Sequence, residues 1–270
     1  MQSTPKILLT QEKETLLITL YAKALDNRAP RSILHDAKAE EILESIDYDF
    51  TRFDSFGNNN IIVVRARQYD EWLKLLLQIH TEAVVINMGC GLDTRYTRIN
   101  PGPQVSWYDV DFPEVIALRK NFYSNNSNYT MLQSSVTAPG WFADIPRSRN
   151  VLVIAEGVFE YLNETDVKML LTGLTNHFAH GEIMFDVMSS FAIKGGRQKL
   201  KETTGAEHKW AVDDPVTVDA LNPVLKRVEA LPLFASKFMK KLPLFFRLLY
   251  GGMGLFKQFK TMIRLMRYRF

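Results

Sequence analysis

Apolar positions along the chain keep a helical spacing first and then alternate between helical and strand spacing. Leu16, Leu17, Leu20, Tyr21 and Leu25 predict a helix over residues 12–25, and Asp36 to Ile46 reads as a second. After a polar break at Asn58-Asn59-Asn60, Ile61 to Ile79 reads as a long helix carrying Arg65, Arg67 and Asp70, charges that a helix ordinarily turns to solvent. From Ala83 the pattern predicts strands at 83–88, 104–109, 129–134, 150–155 and 181–187, with helices from about Thr94, over 113–123 and over 164–179. Asn163 to Asp166 supplies a polar cap and acidic first turn for the last of these helices, and Gly181 ends it. Asp213-Asp214-Pro215 starts a short helix, Val224 to Leu233 predicts a sixth strand, and the alternation of Met266, Tyr268 and Phe270 with Arg267 and Arg269 predicts a seventh over 261–270. Repeated strand–helix alternation implies an α/β fold with a mostly parallel, doubly wound sheet behind an N-terminal helical cap.

One junction concentrates candidate chemistry. Val84-Val85-Ile86 runs into Asn87-Met88-Gly89-Cys90-Gly91-Leu92-Asp93-Thr94, a strand feeding a Gly-x-Gly turn at the carboxyl end of a parallel strand, where α/β sheets bind cofactors. Thr94 stands where a dinucleotide fingerprint has its third glycine, so a nucleotide-dependent oxidoreductase is disfavoured. The next strand ends on acid, Asp109-Val110-Asp111, and a carboxylate there can accept both hydroxyls of a ribose. Asp109 and Asp111 share one face of that strand, and the spacing does not choose between them.

Composition acts mainly by exclusion. At 270 residues and 46% hydrophobic the chain suits one large domain with a substantial core, and a net charge of +3 argues against a nucleic-acid partner. Cys90 is the only cysteine, which excludes an intramolecular disulfide and a zinc cluster and suits a small side chain packed beneath a cofactor. Gln11 to Glu14 precede any apolar run, no stretch reaches the roughly 20 apolar residues of a membrane span, and cytoplasm is the default expectation. Residues 233–260 mix Phe, Leu and Met with Lys237, Lys240, Lys241, Arg247, Lys257 and Lys260; packing over the sheet is the first reading, with membrane contact or dimerisation as the alternatives.

Four segments in order, Arg65-Ala66-Arg67 with Asp70, Asn87 to Arg95, Asp109 to Pro113, and Ala155-Glu156-Gly157-Val158-Phe159-Glu160-Tyr161-Leu162, resemble the leucine carboxyl methyltransferase family, including its bacterial tetracenomycin-type polyketide O-methyltransferases. The resemblance runs from about Thr15 to the C-terminus. It implies a seven-stranded Rossmann-like methyltransferase sheet, its seventh strand antiparallel beside the sixth, with a variable C-terminal helical insertion. Residues 1–80 would form the cap, 81–190 the cofactor-binding core, and 191–270 the substrate and lid region with the last two strands. It also implies S-adenosylmethionine as cofactor and a small-molecule acceptor, a polyketide-like carboxylate or hydroxyl. A protein C-terminal carboxylate, or a non-catalytic cofactor-binding or membrane-associated role, are the competing readings.

Under that resemblance Arg65 faces the methionine carboxylate, with Lys23 a second candidate; Arg67 and Arg28 also suit exposed ion pairs with Asp70 and Asp26. Asp111 matches the ribose acid, with Asp109 its competitor, and Glu156 faces the cofactor's amino group and methyl. Ser135 and Val136 stand where the family often has an Asp-Leu pair contacting adenine, so a hydroxyl replaces a charge there. For the acceptor, Tyr161 and His208 are the visible catalytic options, although His208 also reads as an exposed histidine. No acid–base pair lies at close spacing, so a clamped carboxylate, already ionised at pH 7, is expected over a base-activated phenol, together with a pH-insensitive turnover. Arg65→Ala and Glu156→Ala are expected to weaken cofactor binding while leaving the fold intact.

Overall fold

The computed structural model describes residues 9–57, 59–147 and 149–270, so Asn58 of the polar break and the first eight residues of the expected cap lie outside the described residues. Seven strands, β1 (Val84–Met88), β2 (Ser106–Asp111), β3 (Tyr129–Gln133), β4 (Val151–Ala155), β5 (Gly181–Met188), β6 (Lys226–Pro232) and β7 (Ile263–Arg269), form one sheet in the order β3-β2-β1-β4-β5-β7-β6. The strands β1 to β5 run parallel, and β7 enters antiparallel between β5 and β6. Both β1 and β4 are buried throughout, which is why they read as unbroken apolar runs rather than alternating ones.

Alternate residues of the strands feed two cores. Val85 joins Leu73 and Leu76 of α3 (Asn59–Ile79), while Val84 and Ile86 join Leu170, Leu171 and Leu174 of α6 (Glu164–His177) on the other face. A third cluster joins α1 (Thr15–Arg28) and α2 (Ala37–Glu44) to Leu92 in the glycine turn and to Val115 and Leu118 of α5 (Pro113–Arg119). The cap therefore packs directly on the loop after β1, and α4 (Arg95–Ile99) follows that loop as little more than one turn.

Several expectations change. The second strand lies two residues later than its pattern suggested and ends on Asp111 itself. Gly181 does not end α6, which stops at His177; it opens β5, where a Cβ would lie 2.3 Å from the Val151 carbonyl oxygen, so only glycine lets β4 and β5 approach here. Asn163 caps α6 without a side-chain bond to its backbone and donates instead to Asp166, at 3.2 Å. A helix α7 (Ser190–Thr204) was not anticipated, although Ser189 accepts from Ala192 N–H at its start and Gly205 takes a left-handed φ of 75° at its end. The segment after β6 is broken into short turns, α9 (Leu244–Met253) and α10 (Lys257–Lys260), and the four-residue α8 (Val216–Asp219) lies between α7 and β6. Leu233, Phe238, Met239, Leu242 and Tyr250 of this segment are buried over the sheet, while Leu244, Phe245 and Leu248 on the outer face of α9 stay exposed. Among the described residues no helix is long and apolar enough to cross a membrane.

Candidate active site

A cavity of about 780 Å³ opens where the loops after β1 to β5 meet α1, α3 and α7. Its size lies in the range of cofactor pockets, about 300–1,000 Å³. Its lining includes Lys23, Arg65, Gly89, Gly91, Asp93, Asp111, Ser135, Val136 and Glu156, and also Tyr161, His208, Met188, Phe191, Phe259 and Met262. Every expected site residue except Asp109 lines it. Among the described residues no group of His, Cys, Asp or Glu is set to hold a metal.

Gly89 and Gly91 adopt φ of 61° and 49°, conformations that a side chain disfavours. Their missing Cβ atoms make room for protein, however: a Cβ on Gly89 would lie 2.5 Å from Val158 Cγ2, and one on Gly91 would lie 3.0 Å from Leu16 Cβ. Cys90 between them is buried, and burial pushes its thiol well up, so it is a packed neutral side chain. Gly89→Ala is expected to cost about 1–3 kcal/mol from backbone strain alone. Adding Val158→Ala should recover only the contact part; a double variant as stable as wild type in urea unfolding would contradict the strain at this φ.

The two acids of β2 have different tasks. Asp109 is wholly buried and accepts from Arg119, from the Tyr129 hydroxyl, from Asn87 Nδ2 at 3.1 Å and from Trp107 Nε1 at 2.9 Å. Arg119 in turn donates to the carbonyl oxygens of Asp93, at 2.7 Å, and Gly91, at 3.2 Å, so Asp109 supports the glycine turn from below instead of facing the cavity. Asp111 reaches the cavity, 9% exposed, with Gly91 N–H and Phe112 N–H donating to it at 2.7 and 2.8 Å. Burial pushes its carboxyl up to about 6 against those two donors.

Between the glycine turn and α3 lies a buried ion network. Arg65 donates to Glu156, at 3.0 Å, and to Asp186 of β5, at 2.8 Å. Arg95 donates to Asp70, Asp93 and Glu156; Arg98 to Asp70, Asp36 and Asp93; and Lys23 to Asp93 at 2.7 Å. Burial opposes charge on Glu156 and Asp93, yet Arg95 together with Lys23 holds both carboxyls below the usual range. The charges of α3 are thus not a solvated face: Arg65 and Asp70 point inward, while Arg67 pairs with Glu71 at 3.9 Å and Arg28 with Glu40 and Glu44. Asp26 pairs with neither arginine and caps the turn at Ser32 to Leu34.

Ser135 and Val136 follow β3 at the cavity wall, with the Ser135 and Thr137 hydroxyls 2.8 Å apart. The turn after β4 carries Glu160 and Tyr161, and Lys209 N–H donates to the Glu160 carbonyl at 2.6 Å. The rings of Tyr161 and His208 lie 5.2 Å apart. His208 is half-buried rather than an exposed histidine, and burial pushes its imidazole down to about 4. Glu160, which the sequence quotes only within a motif, is 4% exposed, and burial followed by the nearby Asp186 pushes its carboxyl up to about 8. Sequence reasoning also missed Arg95, Asp186 and Arg119. Arg95 ended a quoted motif and could have been suspected; Arg119, in an ordinary amphipathic helix, had no local signal.

The leucine carboxyl methyltransferase family pattern matches residues 10–125. The chain is 38% identical to the tetracenomycin polyketide synthesis O-methyltransferase TcmP of Streptomyces glaucescens, covering 98% of each protein. It is 32% identical to the S-adenosyl-L-methionine-dependent methyltransferase dpfgK of Gibberella zeae, covering 84% of each. In fold it is similar to the plantazolicin methyltransferase BamL, solved with a triazolic desmethylPZN analog and SAH, with a TM-score of 0.53 and 11% identity over 96% of this chain and 98% of that one.

Proposed function

This chain belongs to the leucine carboxyl methyltransferase family, and from that premise we propose how its cavity divides between cofactor and acceptor. It is an S-adenosylmethionine-dependent O-methyltransferase of a small molecule. The observation that carries the division is the convergence in one cavity of a cation pair, carboxylates able to accept from a diol, and aromatic and thioether side chains.

The residues fit the cofactor. Arg65 uses Nε and Nη1 on Glu156 and Asp186, and Nη2 lies where a Cβ on Gly157 would come within 3.1 Å, so this glycine keeps the third donor open for a carboxylate. Lys23 adds positive charge on the same side, and Glu156 and Asp93 offer compensation for an ammonium and a sulfonium. Asp111 keeps acceptor capacity for two ribose hydroxyls beyond its two backbone bonds, and Ser135 and Val136 bound the adenine space. When bound, S-adenosylmethionine supplies a methyl group on a sulfonium that departs as a neutral thioether. The chain's part is to align the acceptor oxygen with that methyl and to exclude water, and Phe191, Phe259, Met188 and Met262 suit an apolar, polyketide-like acceptor.

Asp111 makes the cofactor reading testable by pH. Ribose hydroxyls donate to the ionised carboxyl, so binding favours the form that predominates above about 6. The affinity for S-adenosylhomocysteine should be level above that pH and fall about tenfold per unit below it. Asp111→Asn should be weak and pH-independent. A wild-type affinity by calorimetry that stays constant down to about pH 5 would remove Asp111 from the ribose site.

A further inference from the structure

A helix on a protein surface ordinarily turns an apolar stripe inward and a polar face outward, and α9 does not. Arg247 is its single charged residue. Phe246 and Tyr250 face the core, where the Tyr250 ring stacks on Phe234 at 5.3 Å and on Phe246 at 6.1 Å. Leu244, Phe245, Leu248 and Leu249 occupy the other side, within about 140° of the helix circumference, and Leu255 and Phe256 follow in the turn to α10. These residues are 44–85% exposed, and they are six of the thirteen large hydrophobic side chains left exposed among the described residues. Single apolar residues scattered over a surface carry no message, but a cluster of this kind marks a binding face.

Charge identifies the occupant. Residues 230–270 hold nine Lys and Arg and no Asp or Glu, so the rest of the chain is net negative although the whole carries +3. Lys237 pairs with Glu71, and Arg267 and Arg269 with Glu182. Lys240, Lys241, Arg247, Lys257 and Lys260 are exposed, join no carboxylate among the described residues, and lie before, within and after the apolar cluster in sequence. We propose that α9 and the turn into α10 dock on the surface of an anionic lipid bilayer. The leucines and phenylalanines enter the boundary between headgroups and acyl chains, and the five cations meet lipid phosphates and carboxylates. The helix lies in the interface, since ten residues are far short of a span. Lysine suits this place because its methylene stem lies along apolar surface while the ammonium reaches the headgroups. A second copy of the chain fits less well, because a two-fold interface brings the two cation clusters together. A protein partner also fits less well: protein interfaces are depleted in lysine, and four of these five cations are lysines. The face leads to the cavity as well. Phe256 lies 6.5 Å from Phe259, whose ring meets Phe191 at 5.1 Å, and both Phe259 and Phe191 line the cavity, so docking connects the bilayer to it through a row of phenylalanine rings.

The test mixes the full chain with vesicles of phosphatidylcholine, alone or with about one-third phosphatidylserine, and reads binding by co-sedimentation. Wild type should bind the anionic vesicles at least about tenfold tighter than the neutral ones, and the preference should weaken as salt rises from about 0.05 to 0.5 M. Phe245→Glu combined with Leu248→Glu should lose at least about tenfold in vesicle affinity while melting with wild type, because both side chains are already in solvent. The lipid and salt dependence of wild type decides the matter even where a variant melts early. Insertion is read separately. Cys90 is buried, so Leu248→Cys offers one accessible thiol for an environment-sensitive fluorophore, whose emission should shift to the blue on anionic vesicles. Binding without that shift overturns the proposal, because the apolar face would then stay in water. Equal binding to neutral and anionic vesicles overturns it too. Absence of vesicle binding overturns it in either of two ways: concentration-dependent dimers that the double variant dissolves would give the face to a second copy, and a monomer would leave it to a protein partner. None of these measurements involves S-adenosylmethionine, so a failure of docking leaves the function proposed above standing.

Discussion

Arg95→Ala should unfold at a much lower denaturant concentration than wild type, with a loss of about 3–5 kcal/mol. The guanidinium is 0% exposed and joins Asp70 at 2.8 Å, Asp93 at 2.6 Å and Glu156, while lying 5.9 Å above the Tyr69 ring. Removing it leaves three buried carboxylates to share Arg98, Lys23 and Arg65, and it opens a space that water fills poorly. Arg95→Lys should recover little, because one ammonium cannot reach three acceptors spread around a planar fork. The sign of the pH dependence follows from the partners. Asp70, Asp93 and Glu156 all have carboxyls held below their ordinary range in the folded protein, so the stability they contribute is present above about pH 4 and is lost as pH falls further. The gap between wild type and Arg95→Ala should therefore narrow in acid. Urea unfolding at neutral pH and in acid reads both effects, and an unchanged midpoint at neutral pH would show that the network does not hold the glycine turn to α3.

Arg65→Ala should lower the affinity for S-adenosylhomocysteine about 10- to 100-fold, corresponding to about 1–3 kcal/mol for a lost charged hydrogen-bond partner. Its affinity for adenosine, which lacks the amino-acid moiety, should stay near wild type. That contrast separates a contact with the methionine carboxylate from general damage to the pocket. The fold will not be indifferent, contrary to what sequence alone suggested. Asp186 is fully buried and, among the described residues, would keep Gly157 N–H at 2.9 Å and the Tyr69 hydroxyl at 3.3 Å. Its carboxyl, already pushed up by burial, would then hold its proton more firmly, and melting should show a moderate loss of stability. Equal losses for adenosine and S-adenosylhomocysteine would place Arg65 in a purely structural role.

The turn at Gly89 and Gly91, the acidic end of β2 and the strand–helix rhythm were legible because each is a local property. A β-branched run, a missing Cβ and a periodicity of two or 3.6 declare themselves within a few residues. Local reasoning reached its limit where two residues had equal credentials. Asp109 and Asp111 lie on one face of the same strand, and what separates them is Arg119 and Tyr129, brought in from α5 and β3, which occupy the first and leave the second facing the cavity. The α3 charges illustrate the same limit: Arg65 and Asp70 carry no local mark of burial, and only the approach of β4, β5 and the glycine turn supplies the carboxylates and guanidiniums that make burial tolerable. Sequence by itself determined the sheet, the glycine turn and the family. The tertiary structure alone decided which acid faces the cavity, which charges are neutralised and that Glu160 Oε2 has no hydrogen-bond partner among the described residues, because partnership between buried charges is a property of distance in space and not of spacing along the chain.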